Sequence, residues 1–304
     1  MTCVAVIQAG TTLFDTPATL RKFEALAAQA AAQGAKLAVF PEAFIGGYPR
    51  GMDFGARVGF RTAEGRDWFA RYHASAIDVP GIETETMSEV AARHAMHLVV
   101  GVIERDGGTL YCTALFFGPD GTLIGKHRKV MPTAMERIIW GQGDGSTLSV
   151  IDTEIGKIGA VICWENYMPT MRMAMYGQGV ELYCAPTVDD RETWALSMRH
   201  IAFEGRCFVL SAVQYMTRDD VPVDCPIEGP PDHIMIRGGS IIVGPLGDVL
   251  AGPIYDQEAV LVADVDLGQL PRAKYDFDAV GHYARPDIFR LDVDTCAKPP
   301  VNFG

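Results

Sequence analysis

Long apolar runs are missing from this 304-residue chain, and none approaches the roughly 20 residues that cross a bilayer. The opening stretch, MTCVAVIQAG, carries neither a basic n-region nor an extended apolar segment, so it does not read as a signal peptide. Basic charge is scarce as well: 26 Lys and Arg face 38 Asp and Glu, a formal net charge of −12. A surface that negative repels phosphate backbones and anionic lipid, so neither nucleic acid nor membrane is an expected partner. Cysteine is present but unpatterned. Cys3, Cys112, Cys163, Cys184, Cys207, Cys225 and Cys296 include no Cys-x-x-Cys spacing. An odd, dispersed set fits reduced thiols in a cytoplasm, and it offers neither a disulfide framework nor a structural zinc site. Internal repeats, low-complexity linkers and composition breaks are also missing. What remains, 48% hydrophobic and 21% charged, is an ordinary globular chain long enough to bury a large core.

The pattern along the chain alternates strand and helix. CVAVIQA (3–9) reads as a strand, and Leu20, Phe23, Leu26, Ala27, Ala30 and Ala31 recur at helical spacing up to Gly34. KLAVFPE (36–42) is the next short strand, and this β-α-β start predicts sheets covered by helices. A glycine- and aromatic-rich loop over 43–62 precedes helices near 65–76 and 82–95 and a strand over 97–105. A hairpin over 109–130 turns at Pro-Asp-Gly, and a second hairpin runs into GAVIC. Helices over 169–178 and 191–204 alternate with strands over 180–185 and 206–212. A last hairpin over 238–253 and a strand over 258–266 follow the Pro- and Asp-rich excursion 217–235.

Three segments carry a reactive side chain to the point where a buried strand gives out: Glu42 in LAVFPE, Lys129 in IGKHRK and Cys163 in GAVIC. Ligands gather beyond strand ends in α/β sheets. Alone, each residue has a plain structural explanation: a solvated glutamate, a surface lysine, a packing cysteine. Together their chemistry is complementary. A thiol with an ordinary pKa of about 8.5 is mostly protonated at neutral pH. It becomes a nucleophile when a carboxylate takes its proton and a cation stabilises the anion. The Trp164 backbone N–H, just past the thiol, and the Lys129 ammonium can form an oxyanion hole.

The stretches FPEAFIGGYPRG, HRKVMPTAMERIIWGQGDG, CWENYMP, APTVDDRETWALSMRHIAFEGRCFVLS and DFDAVGHYARPD resemble the nitrilase branch of the carbon–nitrogen hydrolase superfamily, in the family's order. That resemblance implies a Glu-Lys-Cys triad, with Cys163 attacking, Glu42 as general base and Lys129 stabilising developing charge. It adds Glu136 as a second, site-ordering glutamate. It implies a four-layer α-β-β-α sandwich over 1–280, with 281–304 a C-terminal extension at an interface. The expected assembly is a homo-oligomer built from dimers that pair through their helical layers. A spiral would be extended through insertions near 54–73 and 217–236.

The implied reaction is hydrolysis of an organic nitrile to the acid and ammonia, with no metal or organic cofactor. Rival readings are an amidase, a cyanide hydratase or dihydratase, and an inactive binding or oligomerisation member. Tyr48, Trp164, Pro186 and Trp194 are candidates to line an apolar substrate pocket, although aromatics equally fill cores. His94 and His97 have a metal-like spacing but no third ligand, which favours a surface or capping role. GQGDG (141–145) lacks the context of a phosphate loop. His127 is a candidate to orient the site, or a structural histidine.

Overall fold

The computed structural model describes residues 1–301. β1 (Thr2–Gln8) leads into α1 (Thr16–Ala32). The Asp15 carboxylate caps this helix by accepting the Ala18 N–H at 2.9 Å, and Pro17 sits in its first turn. Gly34, at φ +89°, turns the chain out of it. The first half continues through β2 (Leu37–Val39), α2 (Ala63–Ser75), β3 (Ile77–Asp78), α3 (Ile82–His94), β4 (His97–Asp106), β5 (Thr109–Phe117) and β6 (Leu123–Arg128). The second half runs β7 (Val150–Thr153), β8 (Gly156–Ala160), α4 (Pro169–Gly177), β9 (Leu182–Cys184), α5 (Glu192–Gly205), β10 (Phe208–Ser211) and β11 (Tyr215–Thr217). It closes with β12 (Ile234–Val243), β13 (Val249–Tyr255), β14 (Ala259–Val265) and α6 (Leu270–Ala273).

The strands form two mixed sheets. One has the order β14-β1-β2-β4-β5-β6, with β3 beside β4; the other has the order β11-β12-β10-β9-β8-β7, with β13 beside β12. Strands joined through helices pair parallel (β1 with β2, β8 with β9, β9 with β10), whereas the hairpins pair antiparallel.

Side-chain alternation sets the layers. Val4 and Val6 face a core shared with Ile158, Ala160, Leu210 and Ile242 of the other sheet. Ala5 and Ile7 point the other way, onto Phe23, Leu26 and Ala27 of α1 and Met87 and Val90 of α3. On the second sheet, Val161, Tyr183 and Val209 meet Met171 and Met175 of α4 and Trp194, Met198 and Ile201 of α5. The result is helix, sheet, sheet, helix, the four-layer sandwich expected from the sequence.

Gln8 continues the inward series of Val4 and Val6 and is fully buried. Its Nε2 donates to the carbonyls of Ile254 (3.0 Å) and Gln257 (2.8 Å), and its Oε1 accepts the N–H groups of Gly239 and Ser240, both at 2.8 Å. One amide thus ties β1 to the facing sheet with all its bonding capacity used.

Several boundaries differ from the sequence reading. β2 stops at Val39, ahead of Pro41, which has no N–H for the ladder. A short strand, β11, leads into the excursion, over residues the sequence reading left almost entirely unassigned between the strand at 206–212 and the excursion at 217–235. The segment beyond α6 has no strand or helix among the described residues, and it folds back so that the Lys298 N–H donates to Asp144 Oδ2 at 2.6 Å. Residues 302–304 of the expected extension lie outside the described residues.

Replacing Gln8 with leucine would strand the buried N–H groups of Gly239 and Ser240 and unpair the part-buried carbonyls of Ile254 and Gln257. Each unsatisfied group costs about 1–3 kcal/mol. Gln8→Leu is therefore expected to lower the unfolding free energy by at least about 3 kcal/mol, read from the urea midpoint at unchanged m-value.

Candidate active site

Glu42 sits in the turn after β2 and is fully buried. Ala43 follows it at φ +50°, a left-handed conformation that costs energy for a non-glycine residue. The turn fits because β4 carries Gly101 beneath it: a Cβ there would lie 2.1 Å from the Pro41 carbonyl oxygen and 2.8 Å from Glu42 Cα. From the other sheet, Gln214 Nε2 donates to the Glu42 carbonyl at 2.7 Å.

Lys129 is the first residue after β6, with its N–H on the Cys112 carbonyl at 2.8 Å. Its buried ammonium donates to Glu42 Oε1 at 2.6 Å and Glu136 Oε2 at 2.8 Å. Glu136 lies in a single 3-10 turn and is held there by the Thr133 N–H (2.6 Å, on Oε2) and the Tyr48 hydroxyl (2.9 Å, on Oε1). The Trp140 ring lies 5.5 Å from the Lys129 nitrogen.

Cys163 opens a 3-10 turn directly after β8 and the two residues that extend it, at φ +52°. Its N–H donates to the Pro186 carbonyl at 2.9 Å, and the Thr187 hydroxyl donates to its sulfur at 3.2 Å. A strained residue at a sharp strand-to-helix turn is how a nucleophile is exposed beyond a sheet. Three strand ends from two sheets therefore bring carboxylate, ammonium and thiol into one buried cluster.

The charges interact strongly. Burial, with the charge of Glu42 and Glu136, pushes the Cys163 thiol well above its ordinary value, against the opposing pull of Lys129. Burial also raises Glu42; Lys129 opposes this, Glu136 adds to it, and the nearby Cys163 thiol opposes it. For Lys129 burial disfavours the ammonium, but Glu42 and its neighbours outweigh it and hold the group protonated. The Tyr48 hydroxyl is pushed up by burial and by Glu136, so it stays a donor.

A model of the family described as carbon-nitrogen hydrolase matches residues 3–275. The chain belongs to the carbon–nitrogen hydrolase family. An aliphatic nitrilase of Sinorhizobium fredii is 60% identical over 98% of this chain and 97% of that protein. A bifunctional nitrilase/nitrile hydratase of Nicotiana tabacum is 59% identical over 98% of this chain and 87% of that protein. Among solved structures, a carbon–nitrogen hydrolase of Helicobacter pylori superposes at TM-score 0.74 with 22% identity, covering 95% of this chain and 96% of that one. An amidase from Nesterenkonia superposes at TM-score 0.67 with 21% identity, covering 89% and 92%. These two likenesses bear on the fold.

Within this carbon–nitrogen hydrolase the pocket candidates separate. Tyr48 and Glu136 border a cleft of about 190 Å³ together with Met52, Met135, Ile138 and Trp140. Trp164 is 41% exposed; its indole N–H donates to Asp189 Oδ2 at 2.8 Å and its ring lies under the Arg191 guanidinium. Pro186 meets Cys163 through its backbone carbonyl. Trp194 is not among the residues that line this cleft. It is buried in the core between α5 and the sheet, with its indole N–H on Ser211 Oγ at 2.8 Å. That expectation is corrected: the α5 register that buries Met198 and Ile201 turns Trp194 inward with them.

His97 is buried with its Nε2 2.8 Å from Glu154, and His94 ends α3. No group of three His, Cys, Asp or Glu placed to hold a metal occurs among the described residues. The glycines of GQGDG serve packing: a Cβ on Gly143 would lie 2.3 Å from the Arg128 carbonyl oxygen.

Sequence reasoning missed several residues of the site. Cys112 Sγ lies 3.6 Å from Glu42 Oε1, and Trp140 and Gln214 were not singled out. Glu165 was quoted without a role. It is fully buried, and its Oε1 accepts the Val130 N–H at 2.6 Å while its Oε2 accepts the Ile162 N–H at 2.9 Å and faces His127 Nε2 at 3.1 Å. It therefore clamps the residue after Lys129 to the residue before Cys163. His127 is its buried partner.

Burial would raise the Glu165 carboxyl, but His127 and the Ile162 N–H outweigh it and hold the group below its ordinary value. A depressed carboxyl stabilises the fold above the unfolded-state value of about 4.3, and that contribution is lost as pH falls through the lower folded value. Glu165→Gln is expected to cost about 3 kcal/mol or more near neutral pH. The gap to the wild type should close as denaturation is repeated below about pH 4.

Proposed function

We propose that this protein is a nitrilase that converts an organic nitrile and two waters to the carboxylic acid and ammonia. The observation that carries the reading is the convergence of Glu42, Lys129 and Cys163, three residues far apart in the chain, in one buried cluster. The high identity to named nitrilases over nearly the whole chain supports it.

Glu42 takes the Cys163 proton as the sulfur adds to the nitrile carbon and passes it to the nitrile nitrogen, giving a covalent thioimidate and restoring the carboxylate. Water activated by Glu42 then adds to that carbon. The tetrahedral species expels ammonia, protonated through the same carboxyl, and leaves a thioester, which a second water cleaves to the acid. Lys129 and the Trp164 N–H hold negative charge as it develops, and Glu136 fixes the Lys129 ammonium. Tyr48 and the cleft beside Glu136 take the substrate's organic group, with Trp164 at the rim. No step calls on a metal or organic cofactor.

The thiols, free in all seven cysteines, fit a cytoplasmic protein. No helix among the described residues is long and apolar enough to cross a membrane. Assembly as a homo-oligomer of dimers, extended toward a spiral, is supported by exposed Leu196 and Phe203 on α5 and by exposed Val58, Phe60 and Val223 on the two insertions. Residues 281–304 would act as the interfacial extension of a 1–280 catalytic domain.

One observation favours a second product: relatives bear the name nitrilase/nitrile hydratase, so some amide release from the tetrahedral species is part of the reading. Incubation with aliphatic and aryl nitriles, with acid, amide and ammonia measured separately, tests the assignment. Release of ammonia from amides alone would replace it with an amidase.

Lys129→Ala is expected to lower kcat by about 10²–10³-fold, the cost of one oxyanion donor, whereas Cys163→Ala should abolish turnover. Glu42 must be ionised to accept the proton, and its raised value places the acid limb of kcat/KM above the ordinary glutamate range near pH 4.3. Activity should rise as pH climbs through that limb. A limb at or below the ordinary range would remove Glu42 as the base.

A further inference from the structure

Glu42, Lys129 and Glu136 do not account for every contact of the Cys163 sulfur. Thr187, three residues beyond β9, is fully buried, and its Oγ1 lies 3.2 Å from that sulfur. The same oxygen accepts the Asp189 N–H at 2.9 Å. A hydroxyl has one proton to give, and here the sulfur is its acceptor. The backbone fixes this aim: the Thr187 N–H donates to the Ala212 carbonyl at 2.9 Å, and its own carbonyl accepts the Gln214 N–H at 3.3 Å. Gln214 also holds the Glu42 carbonyl, so the hydroxyl and the carboxylate hang from one frame. Glu42 Oε1 is occupied by Lys129 and Cys112, and Oε2 has no hydrogen-bond partner among the described residues.

We propose that Thr187 is a further residue of the reaction, its hydroxyl bonding to the Cys163 sulfur so that the thiol proton turns to Glu42 and the sulfur anion is stabilised as that proton leaves. The inference rests on the nitrilase reading for the identity of the substrate, but not for the contact itself. In the attack the S–H bond breaks, its proton goes to the Glu42 carboxylate, and its electron pair forms the S–C bond while a C≡N π pair moves to nitrogen, which then takes that proton from Glu42. When water cleaves the thioester, the S–C pair returns to sulfur, and the proton that Glu42 took from water returns with it. The hydroxyl donates to sulfur in both directions and is itself unchanged.

The test compares Thr187→Val, which keeps the shape and removes the hydroxyl, with Thr187→Ser, which keeps the hydroxyl. Two rates are read on the full-length protein: nitrile turnover, and alkylation of Cys163 by iodoacetamide at about pH 8, located by peptide mass. A hydrogen bond to a charged group corresponds to about 10- to 100-fold, so Thr187→Val should slow both rates by that factor. Thr187→Ser should restore both. Should the valine variant not accumulate folded, Thr187→Ala carries the same expectation. Alkylation of Thr187→Val within about twofold of wild type overturns the proposal even if turnover falls, since only packing is then lost. A serine variant as slow as the valine one overturns it as well. Alkylation needs no nitrile: slowed alkylation in a protein that turns over no nitrile upholds Thr187 and removes the nitrilase reading instead.

Discussion

The site depends on one buried ammonium shared between two buried carboxylates. Lys129 bonds Glu42 and Glu136 at once, and none of the three has more than marginal exposure. Without the cation, two like charges would share a dry pocket, and one would have to take up a proton. With it, the trio carries a single net negative charge, and each carboxylate keeps a fixed orientation. A buried ion pair of this kind contributes little net stability once desolvation is counted, so its value lies in specifying where each oxygen points. Further donors complete the arrangement: the Tyr48 hydroxyl and the Thr133 N–H on Glu136, and the Gln214 amide on the Glu42 carbonyl.

The same cluster concentrates backbone strain. Ala43, Ala134 and Cys163 are all non-glycine residues at positive φ, and they lie beside Glu42, two residues before Glu136, and at the thiol itself. Such conformations persist where surrounding structure over-determines them. Here the determinants are concrete. Gly101 leaves room under the Glu42 turn, and Glu165 ties the backbone just after Lys129 to the backbone just before Cys163. The layered core beneath provides the rigid platform on which those turns stand, and Gln8 stitches its two sheets into register.

Much of this was legible in the sequence, and the reason is local. Strand and helix periodicities in 3–9, 17–33 and 97–105 recur as β1, α1 and β4 because their alternation and capping are short-range signals. Glu42, Lys129 and Cys163 stood out because polarity changes abruptly where an apolar run ends. Gln214, Thr187 and Glu165 did not, since their partners are backbone groups or distant side chains that leave no mark in adjacent residues. Trp194 shows the opposite failure. Its spacing to Met198, Ile201 and Ala202 is that of one buried helix face, so the signal for core was present, and the aromatic character of the residue outweighed it in the reading. β11 was hidden because three residues ahead of a long excursion carry too little periodicity to mark a strand.

Charge accounting also explains how a thiol that rests protonated can attack in the proposed reaction. A resting thiolate would add a second net negative charge to a buried cluster that already holds one, which is why the Cys163 value is driven upward. Moving the proton from sulfur to Glu42 leaves the total unchanged and only relocates the charge from oxygen to sulfur. As the S–C bond forms, that charge passes on to the substrate nitrogen and stays within the field of Lys129. The cluster therefore never has to bury a second uncompensated anion at any stage of the proposed reaction. A carboxylate whose own value is raised by burial holds a proton more readily than an exposed glutamate does, which favours it as the acceptor in this exchange. The burial that keeps the nucleophile quiet in the resting protein thus also raises the proton affinity of the carboxylate that receives its proton.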